Sequence, residues 1–282
     1  MTIDINEIFD KEFRVLDKGF IRLIDLMGND ASIVQAARVS YGKGTKSVSE
    51  DRSLIRYLMR NKHTSPFEMV EFKFHVKLPI FVARQWIRHR TANVNEYSGR
   101  YSEMKDDFYT PEIEQIRPQS QTNKQGRADD SFSEKKSNAI ASRISDYQAN
   151  SFNEYNDLLN EGLARELARI NLPVSNYTEW YWKIDLHNLF HFLRLRMDHH
   201  AQYEIRVYAE KIAEIVKLAV PLAYSAFEDY VLNAISFSGV ELNLLKQMLN
   251  DYELSKENLE SLGIKGREYS EFIEKIEKIK RI

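Results

Sequence analysis

Alternation of apolar and polar side chains predicts the clearest strand of the chain, over residues 70–77. Every second residue of this run is apolar, and the residues between are charged or histidine. A period of two places the apolar set on one face of a strand. Pro79 follows, and its fixed φ and missing N–H suit the first turn of a helix. We therefore expect a half-buried strand that leads directly into a helix over residues 80–90.

Helical spacing of apolar residues dominates the second half of the chain. Stripes at intervals of three to four residues run over 140–159 and 203–230, and residues 184–197 are apolar on most sides. The segment 111–137 is polar and predicts a surface loop. Because strands and helices are segregated, we predict an α+β fold: a small antiparallel or mixed sheet packed with long helices. We expect one large domain with a helix-rich C-terminal half.

The composition indicates an ordinary globular protein and removes several kinds of site. Of 282 residues, 43% are hydrophobic and 29% are charged, which is enough apolar material for a sizeable core. The net charge is only −2, whereas a general nucleic-acid binder normally carries a basic excess. Cysteine is absent, which excludes disulfides, zinc–thiolate sites, iron–sulfur clusters and a cysteine nucleophile.

The first residues and the apolar runs of the chain lack the patterns expected of a signal peptide and of a membrane span. The first seven residues lack the basic region and the apolar run of a signal peptide. No apolar stretch approaches ~18 residues without a charge, so we expect no transmembrane helix. We therefore expect a cytoplasmic protein that binds neither nucleic acid nor a membrane.

Candidate chemistry is concentrated between Arg84 and Tyr101, which enclose four arginines, a histidine, two asparagines and a glutamate. Arg84 and Arg88 would share one face of the predicted helix. The polar loop after this helix has side chains and amides that can bind oxyanions. Guanidinium groups donate bidentate hydrogen bonds to phosphate oxygens. A site for phosphorylated ligands is one interpretation. A solvated helix face with Arg–Glu pairs is the other.

A second group of polar residues lies in the helical half. His187 and His191 are four residues apart and could clamp a metal ion, but no glutamate follows His187 as an H-E-x-x-H site requires. We therefore expect no metal. Arg196 and His200 have the same spacing and could present together to a ligand.

The segment from Arg88 to Arg100 resembles the R-H-R-x-x-x-x-N-E-x-S-x-R signature of the flavin-dependent thymidylate synthases. The signature fixes charged, amide and hydroxyl side chains at set offsets, so chance agreement is improbable. The resemblance runs from about residue 14 to about residue 230 and includes the further segments 16–20, 36–40, 63–68, 79–86, 165–169 and 195–202. It implies a domain over residues 14–238, with an N-terminal arm over 1–13 and a charged helical C-terminal extension over 239–282.

The resemblance implies an enzyme that methylates dUMP to dTMP for dTMP biosynthesis. The one-carbon donor would be 5,10-methylenetetrahydrofolate, and NADPH would supply reducing equivalents through FAD, with tetrahydrofolate as a product. The absence of cysteine fits, because the unrelated thymidylate synthases add a cysteine thiolate to the uracil. In this family FAD lies between subunits of a homotetramer, so each site would be shared. The cofactor would deliver the hydride, and the protein would orient and polarise the substrate.

Carried over residue by residue, the resemblance implies a role for each matching position. Arg196 would be catalytic, because a fixed cation beside the pyrimidine stabilises negative charge on the ring. Ser98 would position the substrate rather than attack it. His63 and His89 could assist folate binding or methylene transfer. The residues implied for dUMP binding are Gln85, Arg88, Glu96, Tyr97, Ser98, Gly99, Arg100, Arg169 and Arg196. Those implied for FAD binding are Ser65, Arg88, His89, Arg90, Glu96, Asp185, His187 and His191.

Two other classes of protein remain open from the residues alone. A nucleotide- or RNA-binding module would use the same arginines without a flavin and would show steep salt dependence. A helical scaffold would hold its arginines in surface pairs. The signature favours the enzyme over both.

Overall fold

Five antiparallel strands form one sheet in the described part of the chain, in the order β1-β2-β3-β5-β4. The computed structural model describes residues 5–39, 48–121, 124–249, 259 and 263–281. The strands are β1 (Phe13–Val15), β2 (Gly19–Met27), β3 (Glu71–Pro79), β4 (Asn93–Glu96) and β5 (Tyr177–Asp185). Parts of the predicted arm, polar loop and tail, namely residues 1–4, 122–123, 250–258, 260–262 and 282, lie outside the described residues.

Helices lie before, between and after the strands in the described structure. Those up to Phe227 are α1 (Asp30–Arg38), α2 (Val48–Arg60), α3 (Ile80–Trp86), α4 (Glu134–Asn160), α5 (Arg165–Ala168), α6 (Leu186–Arg196), α7 (Tyr203–Ala219) and α8 (Pro221–Phe227). Later helices are α9 (Gly239–Leu249) and α10 (Gly266–Arg281). The predicted α+β class and the helix-rich second half are confirmed.

The strand predicted from alternation is the central strand β3, and its apolar face forms the middle of the core. Phe72 and Phe74 are fully buried and stack with ring centroids 5.7 Å apart. Trp86, at the end of α3, packs against Trp182 of β5 at 5.0 Å and against Phe192 of α6 at 4.7 Å. Aromatic side chains bury ~150–250 Å² each, so this cluster accounts for much of the apolar burial. It fixes α3 and α6 side by side on one face of the sheet.

The opposite face of the sheet is polar and held by side-chain pairs between neighbouring strands. The ring of His75 stacks on Tyr181 with centroids 4.9 Å apart, and its Nε2 lies 3.2 Å from Glu179 Oε2. Lys183 Nζ donates to Glu71 Oε2 at 2.9 Å. The two faces therefore differ as the alternation predicts.

A half-buried contact joins the start of α1 to the start of α8, the last helix before residue 228. The carboxylate of Asp30 accepts hydrogen bonds from the backbone N–H groups of Leu222 and Ala223, both at 2.9 Å. These groups belong to the first turn of α8, whose N–H groups have no partner within the helix. Burial raises the pKa of Asp30 despite these two bonds. Asp30 therefore provides hydrogen-bond acceptors for the first N–H groups of a helix that is remote from it in sequence.

Several predicted boundaries are wrong, and tertiary pairing explains them. The helix expected over 80–90 ends at Trp86, so Arg84 and Arg88 do not share a helix face. The polar loop beyond it contains β4, because residues 93–96 pair with β5. The helix expected from residue 184 begins at Leu186, because Ile184 and its neighbour pair with β3. The stripe over 203–230 is interrupted before Pro221, which lacks the N–H that would continue the first helix.

The chain divides into two compact units, Met1–Phe227 and Glu228–Ile282. The first contains the sheet and helices α1–α8. The second contains α9 and α10, with Tyr230 donating from its hydroxyl to Glu268. Across the described residues, we find no helix with the length and apolar character needed to span a bilayer.

Candidate active site

A basic cleft with a volume of about 380 Å³ opens beside the end of α3 and along α6. Helical spacing places Asn188, His191 and Leu195 on the side of α6 that faces it. The turn after α3 supplies the opposite wall, because the chain leaves the helix at Trp86 to reach β4. The lining residues, which define the basic cleft, are Arg88, His89, Arg90, Thr91, Ile184, Asn188, His191, Leu195 and Arg196.

Arg196 is half-buried in this cleft and is held by two uncharged acceptors. Its Nε donates to Nε2 of His89 at 3.0 Å, and its Nη2 donates to the backbone oxygen of Gln85 at 3.2 Å. Neither bond neutralises the guanidinium charge. Its remaining N–H groups and its charge are therefore available to a bound ligand.

Burial favours the neutral form of both histidines of the basic cleft. Burial lowers the pKa of His89 to about 4, and the positive charge of Arg196 acts in the same direction. Burial also lowers the pKa of His191, with Arg194 and His187 acting in the same direction. Because Nε2 of His89 accepts a hydrogen bond from Arg196, its own proton resides on Nδ1. The positive charge of the cleft therefore comes from its arginines.

A second group of predicted residues lies on the loop that follows β4, residues 97–104, which we call the Ser98 loop. Gly99 allows two side chains to pack closely against this loop, because a Cβ at this position would lie 2.6 Å from Met104 Sδ and 3.1 Å from Arg169 Cδ. Arg100 Nε donates to Glu166 Oε2 at 3.1 Å. The Tyr97 hydroxyl donates to the Glu103 backbone oxygen at 2.5 Å, which closes the loop on itself.

The residues around this loop come from β4, β5 and the 3₁₀ turn after α5. Glu96 ends β4, and its Oε1 accepts a hydrogen bond from Thr178 Oγ1 at 2.8 Å. Arg169 begins the 3₁₀ turn and lies against Gly99. Seven predicted dUMP residues are not on α3 or α6, and the structure brings six of them together here: Glu96, Tyr97, Ser98, Gly99, Arg100 and Arg169. The seventh, Arg88, lines the basic cleft.

Five predicted flavin or folate residues are not among those that line the basic cleft, and one of them is Glu96 at the end of β4. His63 is exposed, with its ring edge-on to Tyr57 at 5.7 Å. Ser65 is exposed and begins the 3₁₀ turn Ser65–Met69. Asp185 is the N-cap of α6 and accepts hydrogen bonds from Asn188 N and Nδ2 at 3.0 Å and 2.7 Å. His187 lies on α6 one turn before His191.

Sequence reasoning missed a polar network behind Gln85. The Gln85 amide donates from Nε2 to Gln202 Oε1, and Gln202 Nε2 donates to Glu204 Oε2 at 2.8 Å. Glu204 is only 1% exposed. A signal existed, because Glu204 precedes the buried Tyr208 by four residues and so falls on the apolar stripe of α7.

The comparisons with known proteins cover most of the chain. The sequence model of a family described as "Thymidylate synthase complementing protein" matches residues 22–222. A "Flavin-dependent thymidylate synthase" of Treponema denticola is 58% identical over 266 residues, which is 94% of this chain and 97% of that protein. One of Wolbachia pipientis is 55% identical and covers 90% of this chain and 89% of that protein.

The fold is similar to that of a solved structure. The UMP/dUMP methylase PolB from Streptomyces cacaoi, bound with 5-Br dUMP, superposes with a TM-score of 0.70. The two chains are 32% identical, and the match covers 78% of this chain and 99% of that one.

Proposed function

Because the chain belongs to the flavin-dependent thymidylate synthase family, we propose that it converts dUMP, 5,10-methylenetetrahydrofolate, NADPH and a proton into dTMP, tetrahydrofolate and NADP⁺. The family match confirms the resemblance drawn from the signature, the enzyme class and the dependence on a flavin. The family match favours the enzyme over the two alternative hypotheses, a helical scaffold and a non-catalytic binding module.

The single observation that carries the mechanism is the environment of Arg196. Its hydrogen-bond partners are the neutral imidazole of His89 and the carbonyl oxygen of Gln85, so its charge is not neutralised. Beside N3 and O2 of the uracil, a fixed cation favours loss of the N3 proton and raises the nucleophilicity of C5. The half-buried position strengthens this effect, because a lower local dielectric weakens charge–charge interactions less than water does. Arg196 is therefore the proposed catalytic residue.

The Ser98 loop is the proposed binding site for the nucleotide phosphate. Arg100 now pairs with Glu166, but both side chains are more than half exposed, at 61% and 54%. Exposed pairs contribute only ~0–1 kcal/mol, whereas a hydrogen bond between charged groups contributes ~1.5–3 kcal/mol. A phosphate dianion can therefore displace Glu166 from the guanidinium of Arg100, with Arg169 and Arg88 as further donors. The proposed dUMP-binding residues outside this phosphate group include Gln85, Glu96, Tyr97 and Gly99. Ser98 positions the substrate.

The donor set of the basic cleft fits FAD. Among the described residues that line it, three are arginines and none is a carboxylate, which suits a pyrophosphate. When bound and reduced by NADPH, FAD supplies the hydride of the reaction. We propose that Arg88, His89, Arg90 and His191 hold it within the cleft. Ser65, Glu96, Asp185 and His187 complete the proposed set, and His63 with His89 would assist transfer of the methylene group.

A homotetramer with shared sites is the assembly we propose. His63 and Ser65 are exposed and are not among the lining residues of the basic cleft in their own chain. Such residues can serve a flavin site if they face the cleft of a neighbouring subunit. Light scattering should give a mass about four times the 33.2 kDa of one chain. A monomeric mass for the flavin-bound protein would contradict a shared site.

The proposed catalytic domain covers residues 14–238. The family match over residues 22–222 supports it. Residues 1–13 and 239–282 would be an arm and a peripheral extension, and the cytoplasmic location stays a prediction.

An absorption spectrum of the purified protein tests the function first. Flavin bands that bleach on anaerobic addition of NADPH, faster with dUMP than without, are the expected result. dTMP should then form only when methylenetetrahydrofolate is also present. A colourless protein that takes up no added FAD, or one that gives no dTMP with all substrates present, would contradict the proposal.

A further inference from the structure

Glu204 is a buried carboxylate at the start of α7 that the proposed mechanism does not use. Its Oε1 accepts hydrogen bonds from the Tyr109 hydroxyl at 3.0 Å and from Arg127 Nη2. Its Oε2 accepts from Gln202 Nε2 at 2.8 Å. A buried carboxylate is costly unless it is paired and hydrogen-bonded, and this one has three donors. Its partners fix it at a position behind Gln85.

The charge of Glu204 determines the direction of two side-chain amides in turn. An ionised carboxylate only accepts hydrogen bonds, so Gln202 must present its NH₂ group to Glu204. The carbonyl oxygen of Gln202 then points the other way, toward Gln85. Gln85 must therefore donate its own NH₂ group to Gln202, as the structure shows.

Gln85 is consequently left with its carbonyl oxygen Oε1 turned away from the network. We find no donor to this oxygen in the part of the chain that the structure describes. The same residue holds Arg196 through its backbone oxygen at 3.2 Å. Gln85 therefore sits beside the proposed catalytic guanidinium and offers an acceptor of fixed direction.

We propose that Glu204 is a positioning residue for substrate binding. Acting through Gln202, it holds the Gln85 amide so that Oε1 faces a hydrogen-bond donor of the bound nucleotide. This inference rests on the proposed binding of dUMP by Gln85. Without the carboxylate, the two amides can reverse, and Gln85 would then present an NH₂ group to the same donor.

The test is the dissociation constant of dUMP for the FAD-loaded enzyme, measured by equilibrium dialysis. Glu204→Gln keeps the size of the side chain but can donate as well as accept. We expect it to raise the dissociation constant about tenfold, the equivalent of about 1.4 kcal/mol. Gln202→Met, a change at an exposed position, should produce the same loss. Glu210→Gln, which changes an exposed carboxylate of the same helix, should stay within about twofold of the wild type.

A double-mutant cycle separates positioning from a structural role. If Glu204 acts through Gln85, Glu204→Gln should change the dissociation constant by less than about twofold once Gln85→Ala is present. Additive losses would overturn the inference, because they would mean that Glu204 acts independently of Gln85. The melting temperature of each variant identifies loss of folding, and Gln202→Met then carries the cycle in place of Glu204→Gln.

The outcome for the wild type and for Gln85→Ala distinguishes two kinds of failure. A wild-type enzyme that does not bind dUMP would overturn the proposed function and this inference together. A wild-type enzyme that binds dUMP, with no change on Gln85→Ala, would overturn this inference and leave the proposed function intact.

Discussion

The basic cleft and the Ser98 loop both contain arginines, but they hold them in opposite ways. In the cleft, Arg196 is half-buried and bonded to a neutral imidazole and a carbonyl oxygen. In the loop region, Arg100 bonds to Glu166 and Arg165 bonds to Glu103, in pairs that are largely exposed. The charge of the first arginine is available at all times, whereas the other two are neutralised until a stronger anion arrives. Residue type alone therefore does not determine what an arginine can do.

This difference suits two tasks. A cation that must act on a developing charge is most effective when it is fixed and shielded from water. A cation that must capture and release a phosphate is better held by an exposed partner that costs little to displace. Removing an arginine from each region, and removing its partner, tests the distinction.

The largest effect is expected for Arg196→Ala. Loss of one fixed group that stabilises developing charge lowers kcat by about 100-fold to 1,000-fold. Flavin should stay bound, because the proposed flavin residues of the cleft remain. Turnover and the flavin spectrum together check this. Arg194→Ala, which removes an exposed arginine of the same helix, should leave kcat near the wild-type value. Near-normal turnover of Arg196→Ala would remove its catalytic role.

A smaller but broader effect is expected for Arg88→Ala. Arg88 lines the cleft and also belongs to the proposed dUMP set. Loss of a charge-assisted hydrogen bond to each ligand, ~1.5–3 kcal/mol, should weaken both flavin and dUMP binding about tenfold or more. Titrations of the two ligands measure the change, with the exposed Arg84→Ala as the control. Unchanged binding of both ligands would exclude Arg88 from the site.

A modest gain is expected for Glu166→Gln, which releases Arg100. The dissociation constant of dUMP should fall by up to about fivefold, since exposed pairs contribute ~0–1 kcal/mol. Glu103→Gln removes the same charge nearby but releases Arg165 instead. It should therefore have less effect on dUMP. Equal gains in both variants would mean that net charge matters rather than the pair with Arg100.

A dependence of stability on pH, which concerns folding rather than binding or turnover, also arises in the cleft. In the unfolded chain His89 takes up a proton near its ordinary pKa of 6.5, whereas burial in the folded protein lowers this pKa to about 4. The unfolded state therefore binds more protons between these values, and the free energy of unfolding falls as the pH is lowered through this window. Denaturant titrations at several pH values should show a shallower fall for His89→Asn. An unchanged slope in that variant would contradict the neutral state of His89.

The sequence predicted best those elements that bury only one face, because their apolar residues then recur at a regular interval. Alternation located β3, and Pro79 located the start of α3. Alternation was also present in β5, where Trp180, Trp182 and Ile184 are buried, but the apolar run that continues into α6 concealed the boundary.

Other features depend on contacts that no local pattern contains. The strand β4 has four exposed residues and exists because it pairs with β5. For the same reason the helix before it stops at Trp86. The signature located Arg88, His89 and the Ser98 loop, but the neutral partners of Arg196 and the network around Glu204 depend on side chains that meet only in the folded chain.

The bond between Asp30 and α8 has a consequence for the time at which the fold can be completed. Asp30 and Leu222 are 192 residues apart in the chain. At a synthesis rate of about 5–20 residues per second, the ribosome needs roughly 10–40 s to make the intervening segment. Throughout that interval Asp30 has no α8 to cap. Because contacts between remote residues also slow folding itself, this domain should reach its native state late, after most of the chain has been synthesised.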